Sequence, residues 1–286
     1  MSVVYLNGDF VPAEKATVSV FDRGFLLGDG VYEVIPVFSG CLFRLQAHLQ
    51  RLQNSLDAIK LENPLLFKQW EDMLKQLIAE NTHPELSIYL QVTRGAAVRD
   101  HAFPVDPKPG IFAMANPIQK LADRYFEKGV SAITLEDNRW QRCNIKAISL
   151  LPNVLLRQQA VEQGMAEAIL IRNGELTEGA ASNVFVVNNG KIMTPAKSQY
   201  ILPGITRDLV VELAQENNIA CVEQTVTESM LLNADEIWLT SSTKEILPVT
   251  TLNDKPVGDG RPGSVWKRIA EIYRDYKNTL IHSPDC

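Results

Sequence analysis

The stretch "RCNIKAISLLPN", residues 142–153, places one lysine among apolar neighbours on both sides. Lysine is almost never fully buried unless it is paired, and an ammonium group that loses its water tends to lose its proton as well. A neutral lysine amine is a nucleophile that can form a Schiff base with a carbonyl group. Lys146 is therefore either an ordinary lysine that points outward or a nucleophile held in an apolar segment.

The composition is that of an ordinary globular protein. The chain has 286 residues, of which 45% are hydrophobic and 22% are charged. Its formal net charge of −6 gives no electrostatic argument for nucleic acid or an anionic membrane as a partner. The first residues, "MSVVYLNGDFVPAE", lack the basic and apolar segments of a signal peptide, and no stretch is apolar enough to span a membrane. We expect a cytoplasmic protein.

The cysteines are few and fit no metal-binding pattern. They are Cys41, Cys143, Cys221 and Cys286. Four cysteines in a chain of this length do not indicate a disulfide framework, so we expect free thiols in a reducing cytoplasm. We expect no metal ion.

The pattern of apolar residues predicts an α+β protein with two domains. Hairpin turns are predicted at Asn7-Gly8, Ser39-Gly40, Asn173-Gly174 and Asn189-Gly190. Leucines recur every three or four residues after position 45 and predict a helix. A later helix is expected to have Thr206 as its N-cap. The pattern breaks near residue 120, which predicts a smaller N-terminal domain over 1–120 and a larger one over 121–286.

The stretch "TEGAASNVF", residues 177–185, places Glu178 at the end of a predicted strand. The small residues Gly179, Ala180 and Ala181 follow and would let a flat group approach the backbone closely. Taken alone, Glu178 could also be a solvated carboxylate beside a turn.

Two further stretches could bind phosphate. In "ILPGITRD", residues 201–208, a turn precedes a helix start, where free N–H groups and the helix dipole favour anions. In "LTSSTKE", residues 239–245, a strand runs into a hydroxyl-rich backbone, which is also typical of an ordinary Ser/Thr turn. A lysine, an acid and phosphate sites together match the needs of pyridoxal 5′-phosphate.

Seven segments in order make the chain resemble the class IV, fold-type IV aminotransferases, and among them the bacterial D-amino-acid aminotransferases. The segments are "DRGFLLGDGVYEV", "HLQRL", "QVTRGAAVRDHAFP", "RWQRCNIKAISLLPNVL", "EAILIRNGELTEGAASNVF", "LPGITRD" and "TSSTKEI". The resemblance implies a smaller N-terminal α/β domain and a larger C-terminal β-rich pseudo-barrel domain with flanking helices, which would carry the catalytic lysine and the cofactor site.

The resemblance also implies a role for each matching residue. Lys146 would hold the cofactor through a Schiff base and move a proton between the substrate Cα and C4′ of the cofactor. Glu178 would face the pyridine nitrogen, with Arg139 nearby. The remaining cofactor contacts would come from Arg51, Leu202, Ile205, Thr206, Ser241 and Ser242.

On the substrate side, Tyr32, Arg99 and His101 resemble a carboxylate trap. Arginine offers a planar fork to a carboxylate, and the tyrosine hydroxyl and histidine N–H add directional donors. In the family the arginine and the histidine come from the neighbouring subunit, so a homodimer is implied. The implied reaction moves an amino group from D-alanine to 2-oxoglutarate by a ping-pong route, giving pyruvate and D-glutamate.

Other functions stay open on the sequence alone. Branched-chain L-amino-acid aminotransferases share the lysine, the acid and the Gly-Ile-Thr turn but not the Arg-x-His pair, and aminodeoxychorismate lyases share the cofactor core. A protein that carries the cofactor without turnover is a more distant alternative. A Ser/His/Asp hydrolase is disfavoured because the chain has four histidines and no Gly-x-Ser-x-Gly motif.

Overall fold

The computed structural model describes residues 2–119 and 122–282. These residues form two compact units. In the first unit are residues 2–119, 145–149 and 281–282, and in the second are residues 122–144 and 150–280. The short segment around Lys146 thus groups with the first unit, while the domain boundary at residue 120 stays a prediction.

The first unit contains a six-stranded sheet. Its strands are β1 (Val3–Leu6), β2 (Asp9–Pro12), β3 (Gly30–Phe38), β4 (Cys41–Leu42), β5 (Glu85–Thr93) and β6 (Gly110–Pro117). Their order is β2-β1-β6-β5-β3-β4, and every neighbouring pair is antiparallel. The two predicted hairpins, β1–β2 and β3–β4, are confirmed.

The helices of the first unit are α1 (Arg23–Leu27), α2 (Leu45–Ala58) and α3 (Phe67–Glu80), with a short 3₁₀ turn at Ala13–Lys15. The leucine period of α2 buries Leu49, Leu52 and Leu56 in a core shared with the sheet. This helix was expected from the leucine spacing and is confirmed. Its inner face also carries polar side chains, which are described below.

The second unit contains a mixed nine-stranded sheet. Its strands are β7 (Val130–Glu136), β8 (Glu167–Arg172), β9 (Glu175–Gly179), β10 (Asn183–Asn188), β11 (Lys191–Thr194), β12 (Cys221–Glu223), β13 (Glu236–Ser241), β14 (Glu245–Leu252) and β15 (Lys255–Pro256). The order is β12-β11-β10-β13-β14-β7-β8-β9, with β15 paired to β14. The hairpins β8–β9 and β10–β11 are confirmed.

The helices of the second unit are α4 (Arg124–Lys128), α5 (Leu151–Glu162), α6 (Ile205–Glu216), α7 (Glu228–Leu232) and α8 (Ser264–Ile281). With them the predicted mixed α and β class is confirmed. None of the helices in residues 2–119 and 122–282 is long and apolar enough to cross a membrane.

The N-cap of helix α6 lies two residues before the expected one. Its N-cap is Gly204, in an extended conformation with no side-chain cap bond, so the expectation that Thr206 caps the helix is wrong. A Cβ atom added to Gly204 would lie 2.0 Å from Oδ1 of Asn183. The close approach of Asn183 therefore leaves no room for a side chain at position 204, and a local capping pattern does not reveal such a contact.

The thiols follow the sequence expectation only in part. Cys143 and Cys221 are free, and burial raises the pKa of both thiols to about 11. Cys41 is disulfide-bonded, so the expectation of a free thiol is wrong for this residue. Spacing alone does not show which cysteines come together in a fold. Cys286 lies outside the described residues.

Candidate active site

The segment 145–149 is bound to strand β3 through its backbone. The N–H of Tyr32 donates to the carbonyl oxygen of Lys146 at 2.9 Å, and the N–H of Ile148 donates to the carbonyl oxygen of Gly30 at 3.1 Å. Because β3 lies between two other strands of its sheet, these bonds fix the backbone of Lys146 against a well-supported element.

The apolar side chains of this segment pack into the core, and Lys146 lies against an aromatic ring. Ile145 is buried in the core of the first unit, and Ala147 packs against the same core. Lys146 is half-buried, with Nζ 4.1 Å from the centroid of the Tyr32 ring. An ammonium over an aromatic face is attracted by the ring quadrupole. Two residues expected at the site, Lys146 and Tyr32, thus lie side by side.

Arg51 lies in a buried cluster with Glu33 and His48. Its Nε and Nη2 atoms donate to Oε1 and Oε2 of Glu33, each at 2.7 Å. Nδ1 of His48 lies 2.8 Å from Oε2 of the same carboxylate. Arg51 and His48 are three residues apart on α2 and therefore share a helix face.

The cluster is charged although it is fully buried. Burial alone would raise the pKa of Glu33, but the charge and hydrogen bonds of Arg51, with a hydrogen bond from His48, hold it well below its usual range. Burial lowers the pKa of His48, and Glu33 opposes that effect. Nε2 of His48 is buried and has no hydrogen-bond partner among the described residues. The cluster therefore holds one polar atom that could accept a further partner.

In the second unit, Glu178 is a buried carboxylate with three donors. Nη1 of Arg139 lies 2.5 Å from Oε1, while Nδ2 of Asn183 and the N–H of Leu202 donate to Oε2 at 3.1 and 2.9 Å. Burial raises the pKa of Glu178 to about 7, against the lowering effects of Arg139 and of the Leu202 N–H. Such an acid can carry a proton or a charge at neutral pH.

Arg139 is oriented by a second carboxylate. Its Nε and Nη2 donate to the two oxygens of Asp137, both at 2.9 Å. Oδ2 of Asp137 also accepts from the Thr177 hydroxyl at 2.8 Å. Burial would raise the pKa of Asp137, but the hydrogen bond and charge of Arg139 lower it to about 2. The guanidinium therefore lies between two acids of very different proton affinity.

The second unit also presents donors that suit a phosphate group. Helix α6 is 12 residues long and begins at Ile205 and Thr206 behind a glycine that offers no side-chain cap. Its first N–H groups have no intrahelical partner. Strand β13 ends at Ser241, and the neighbouring Thr240 has a buried hydroxyl without a partner in the part of the chain that the structure describes. Ser242 follows in the turn. This donor set fits a phosphate.

Arg99 and His101 lie in the loop of residues 94–109, between β5 and β6. Both are exposed, and within residues 2–119 and 122–282 neither side chain makes a hydrogen bond or ion pair. Neither side chain is hydrogen-bonded to Tyr32 among the described residues, so one chain alone does not link the three expected trap residues.

Several residues of these clusters were not expected from the sequence. They are Glu33, His48, Asp137 and Asn183. A usable signal existed for Glu33, since it stands in an apolar strand beside Tyr32, and for Asp137, since it stands two residues before Arg139. The sequence contains no comparable signal for His48 or Asn183.

Proteins of known family are similar in sequence to most of this chain. Residues 30–252 match the model of the amino-transferase class IV family. The chain is 42% identical to a D-alanine aminotransferase of Bacillus licheniformis over 93% of this chain and 94% of that protein. It is 38% identical to a D-alanine aminotransferase of Staphylococcus haemolyticus over 96% and 98%.

Solved structures are similar over nearly the whole chain. A branched-chain amino acid aminotransferase of Escherichia coli superposes with a TM-score of 0.89 at 28% identity, covering 96% of this chain and 94% of that one. A branched-chain amino acid aminotransferase of Thermoproteus uzoniensis with norvaline superposes with a TM-score of 0.86 at 26% identity, covering 98% and 95%. Another enzyme of this name, solved with pyridoxamine 5′-phosphate, superposes with a TM-score of 0.88 at 27% identity, covering 99% and 96%. The chain belongs to the class IV aminotransferases.

Proposed function

We propose that this protein is a D-amino-acid transaminase that exchanges an amino group between D-alanine and 2-oxoglutarate. The observation that carries the proposal is the position of Lys146 Nζ, 4.1 Å from the ring of Tyr32. It brings the expected nucleophile next to one member of the expected carboxylate trap. The names of the relatives that are 38% and 42% identical support D-alanine as the substrate.

The cofactor in this proposal is pyridoxal 5′-phosphate, which supplies an electron sink for a carbanion at the substrate Cα. Lys146 would hold the cofactor, and its amine would move the proton at Cα. Glu178, held by Arg139 and Asn183, would face the pyridine nitrogen and stabilise a proton there. The chemistry of these side chains fits the group, since a buried carboxylate whose pKa is raised to about 7 gains a basic partner there.

The phosphate contacts are assigned to cations and donors already described. Arg51 supplies the charge, and its pair with Glu33 fixes the plane of the guanidinium. The backbone at Ile205 and Thr206 supplies N–H donors. Leu202 would pack on the ring, and the hydroxyls of Ser241 and Ser242 would complete the phosphate contacts.

The substrate carboxylate is assigned to Tyr32 of one subunit and to Arg99 and His101 of another, in a homodimer. Arg99 and His101 are exposed and therefore available to a neighbouring chain. A guanidinium binds a carboxylate through two parallel hydrogen bonds. A second copy of this chain would thus be needed for full activity.

A substrate panel tests the proposal. D-alanine, L-leucine and L-alanine are each offered with 2-oxoglutarate, aminodeoxychorismate is offered separately, and the amino-acid products are separated on a chiral column. D-glutamate formed from D-alanine is the expected result. Turnover of L-leucine alone would instead identify a branched-chain enzyme, as in the structural relatives, and release of pyruvate from aminodeoxychorismate would identify a lyase.

Subunit mixing tests the role of the second chain. A Lys146→Ala subunit keeps the trap, and an Arg99→Ala subunit keeps the lysine. The assay uses D-alanine at a concentration far below the KM of Arg99→Ala, where each preparation alone gives almost no turnover. If the trap acts across subunits, the two preparations mixed in equal amounts and allowed to exchange should regain about one quarter of wild-type activity. No recovery despite exchange would place the trap within one chain.

A further inference from the structure

Two buried arginines meet on one aspartate at the base of the loop that carries Arg99 and His101. Arg23 and Arg94 are each only 2% exposed. Nε of Arg23 lies 2.8 Å from Oδ2 of Asp29, and Nε of Arg94 lies 2.9 Å from the same oxygen. Burial would raise the pKa of Asp29, but the hydrogen bonds and charges of the two arginines lower it. Asp29 therefore joins the two guanidinium groups as an anion.

Arg23 uses its remaining donors on the loop itself. Nη1 donates to the carbonyl oxygen of Asp100 at 2.6 Å and to that of Ala102 at 3.2 Å, and Nη2 reaches the carbonyl oxygen of His101 at 3.5 Å. One planar guanidinium thus contacts three successive peptide groups. Asp100 follows Arg99 directly in the chain, and His101 is itself one of the three bonded residues. Arg23 thus fixes the backbone from which the side chains of Arg99 and His101 project.

Arg94 holds the other side of the same loop. Its guanidinium carbon lies 3.7 Å from the centroid of the Phe103 ring. Its Nη2 and Nη1 donate to the carbonyl oxygens of Ile59 and Lys60 at 2.7 and 3.2 Å. Phe103, which is 54% exposed, is therefore stacked on a cation that the core holds in place.

Burying two arginines at the base of this loop costs free energy, and this cost indicates that the arrangement serves a function. Removing two guanidinium groups from water is expensive, and one carboxylate offsets only one of the two charges. The rest of the compensation comes from the backbone carbonyls at 59–60 and 100–102. Surface loops are commonly more mobile than the elements they connect. An anchor of this kind is therefore not needed merely to keep a loop on the surface. An anchored backbone below two exposed polar side chains is the arrangement of a pre-organised binding loop.

We propose that Arg23, anchored by Asp29, is a positioning residue for substrate binding. It holds peptides 100–102 so that Arg99 and His101 meet the substrate carboxylate in the neighbouring subunit without first being ordered. The inference rests on the proposed function, in which these two residues bind that carboxylate. Arg23 itself does not touch the substrate.

The test is a double-mutant cycle with Arg23→Lys and Arg99→Ala in the holoenzyme. A lysine keeps the charge but loses the fork that spans three carbonyls. We expect Arg23→Lys to raise the KM for D-alanine about tenfold with kcat within twofold of wild type. In the Arg99→Ala background the same change should raise KM by clearly less than about tenfold, because only His101 is then left to position. Arg157→Lys, which alters an arginine bonded to the Met165 carbonyl in the second unit, serves as a control that leaves KM unchanged.

A second measurement does not depend on turnover. Hydrogen–deuterium exchange of the peptide covering residues 95–109, in protein freed of cofactor, should be faster in Arg23→Lys and in Asp29→Asn than in wild type. Asp29→Asn releases the other end of the same anchor, and it carries the KM test if Arg23→Lys does not fold.

The outcomes separate the inference from the function on which it depends. If Arg99→Ala leaves KM unchanged, the proposed function fails and the positioning role fails with it. If Arg99→Ala raises KM but Arg23→Lys does not, or if the two effects multiply, only the positioning role is overturned. Loop exchange as slow as in wild type would overturn it as well.

Discussion

Arg51 and Glu33 form a two-point ion pair in which Nε–Oε1 and Nη2–Oε2 are both 2.7 Å, although neither side chain is more than 6% exposed. Such a pair is sensitive to the loss of either partner. When one charge of a buried pair is removed, the other remains in a poorly solvated site, which typically costs about 3–5 kcal/mol.

Glu33→Gln should therefore lower the free energy of unfolding by about 3 kcal/mol at pH 7. The folded pKa of Glu33 is depressed, so its contribution is present above the ordinary value of 4.5 and is lost as the pH falls through the folded value. Urea denaturation of wild type and Glu33→Gln at pH 7 measures the first effect, and the difference between the two proteins should begin to shrink as the pH is lowered below about 4.5. Glu71→Gln breaks exposed pairs on α3 and should change stability by less than about 1 kcal/mol. Equal effects of the two variants would contradict the prediction.

Glu178 should make the stability depend on pH in the opposite direction to Glu33. Folding raises its pKa from 4.5 to about 7, so the folded protein binds this proton more tightly than the unfolded chain does. Stability of the cofactor-free protein should therefore fall, as the pH rises from about 4.5 to about 7, by up to about 3 kcal/mol relative to Glu178→Gln. Chemical denaturation across that range measures the difference. Glu175→Gln, an exposed position on the same strand, is the control. Parallel curves for Glu178→Gln and wild type would refute the expectation.

Asp137 should set the proton affinity of Glu178 through Arg139. Its negative charge raises the pKa of Glu178 and competes for the guanidinium between the two acids. Asp137→Asn should therefore lower the pKa of Glu178 below about 7. The measurement is a carboxyl ¹³C NMR titration of glutamate-labelled protein without cofactor, assigned with Glu178→Gln. Asp254→Asn, in the turn after β14, controls for the change in net charge. An unchanged or higher pKa of Glu178 in Asp137→Asn would contradict this prediction.

The side chain of Lys146 should contribute little to the stability of the fold. Its side chain is half-buried, and a cation–π contact with Tyr32 is worth only about 0.5–1 kcal/mol at such a site. Lys146→Ala should keep a thermal midpoint within a few degrees of wild type and lose steady turnover. Borohydride reduction and peptide mass spectrometry should find a pyridoxyl adduct on Lys146 in wild type and none in the variant. Lys108→Ala, an exposed change in the same unit, should behave as wild type.

Local signals account for the elements that were predicted correctly. The turns at Asn7, Asn173 and Asn189 have φ values of 50°, 53° and 51°, a backbone region that asparagine tolerates better than most residues. Each lies between two β-rich runs, so a few neighbouring residues determine the hairpin. The leucine period of α2 is equally local, and both can be read directly from the chain.

What the sequence did not reveal depends on residues that are distant along the chain. Glu33 and Arg51 are 18 positions apart, and Arg139 and Glu178 are 39 apart. Their partnership arises only when a strand packs against a helix or a loop against a sheet. Gly204 was missed for the same reason, because its role depends on Asn183, which approaches it from strand β10. Such contacts are set by tertiary packing, which no local pattern encodes.

The grouping of residues 145–149 with residues 2–119 has a consequence for protein engineering. A chimaera of two homologous genes joined near residue 120 would pair strand β3 of one parent with the lysine-bearing segment of the other. Recombination libraries should therefore transfer codons 145–149 together with the N-terminal parent, as an inserted cassette, to keep inherited contacts intact.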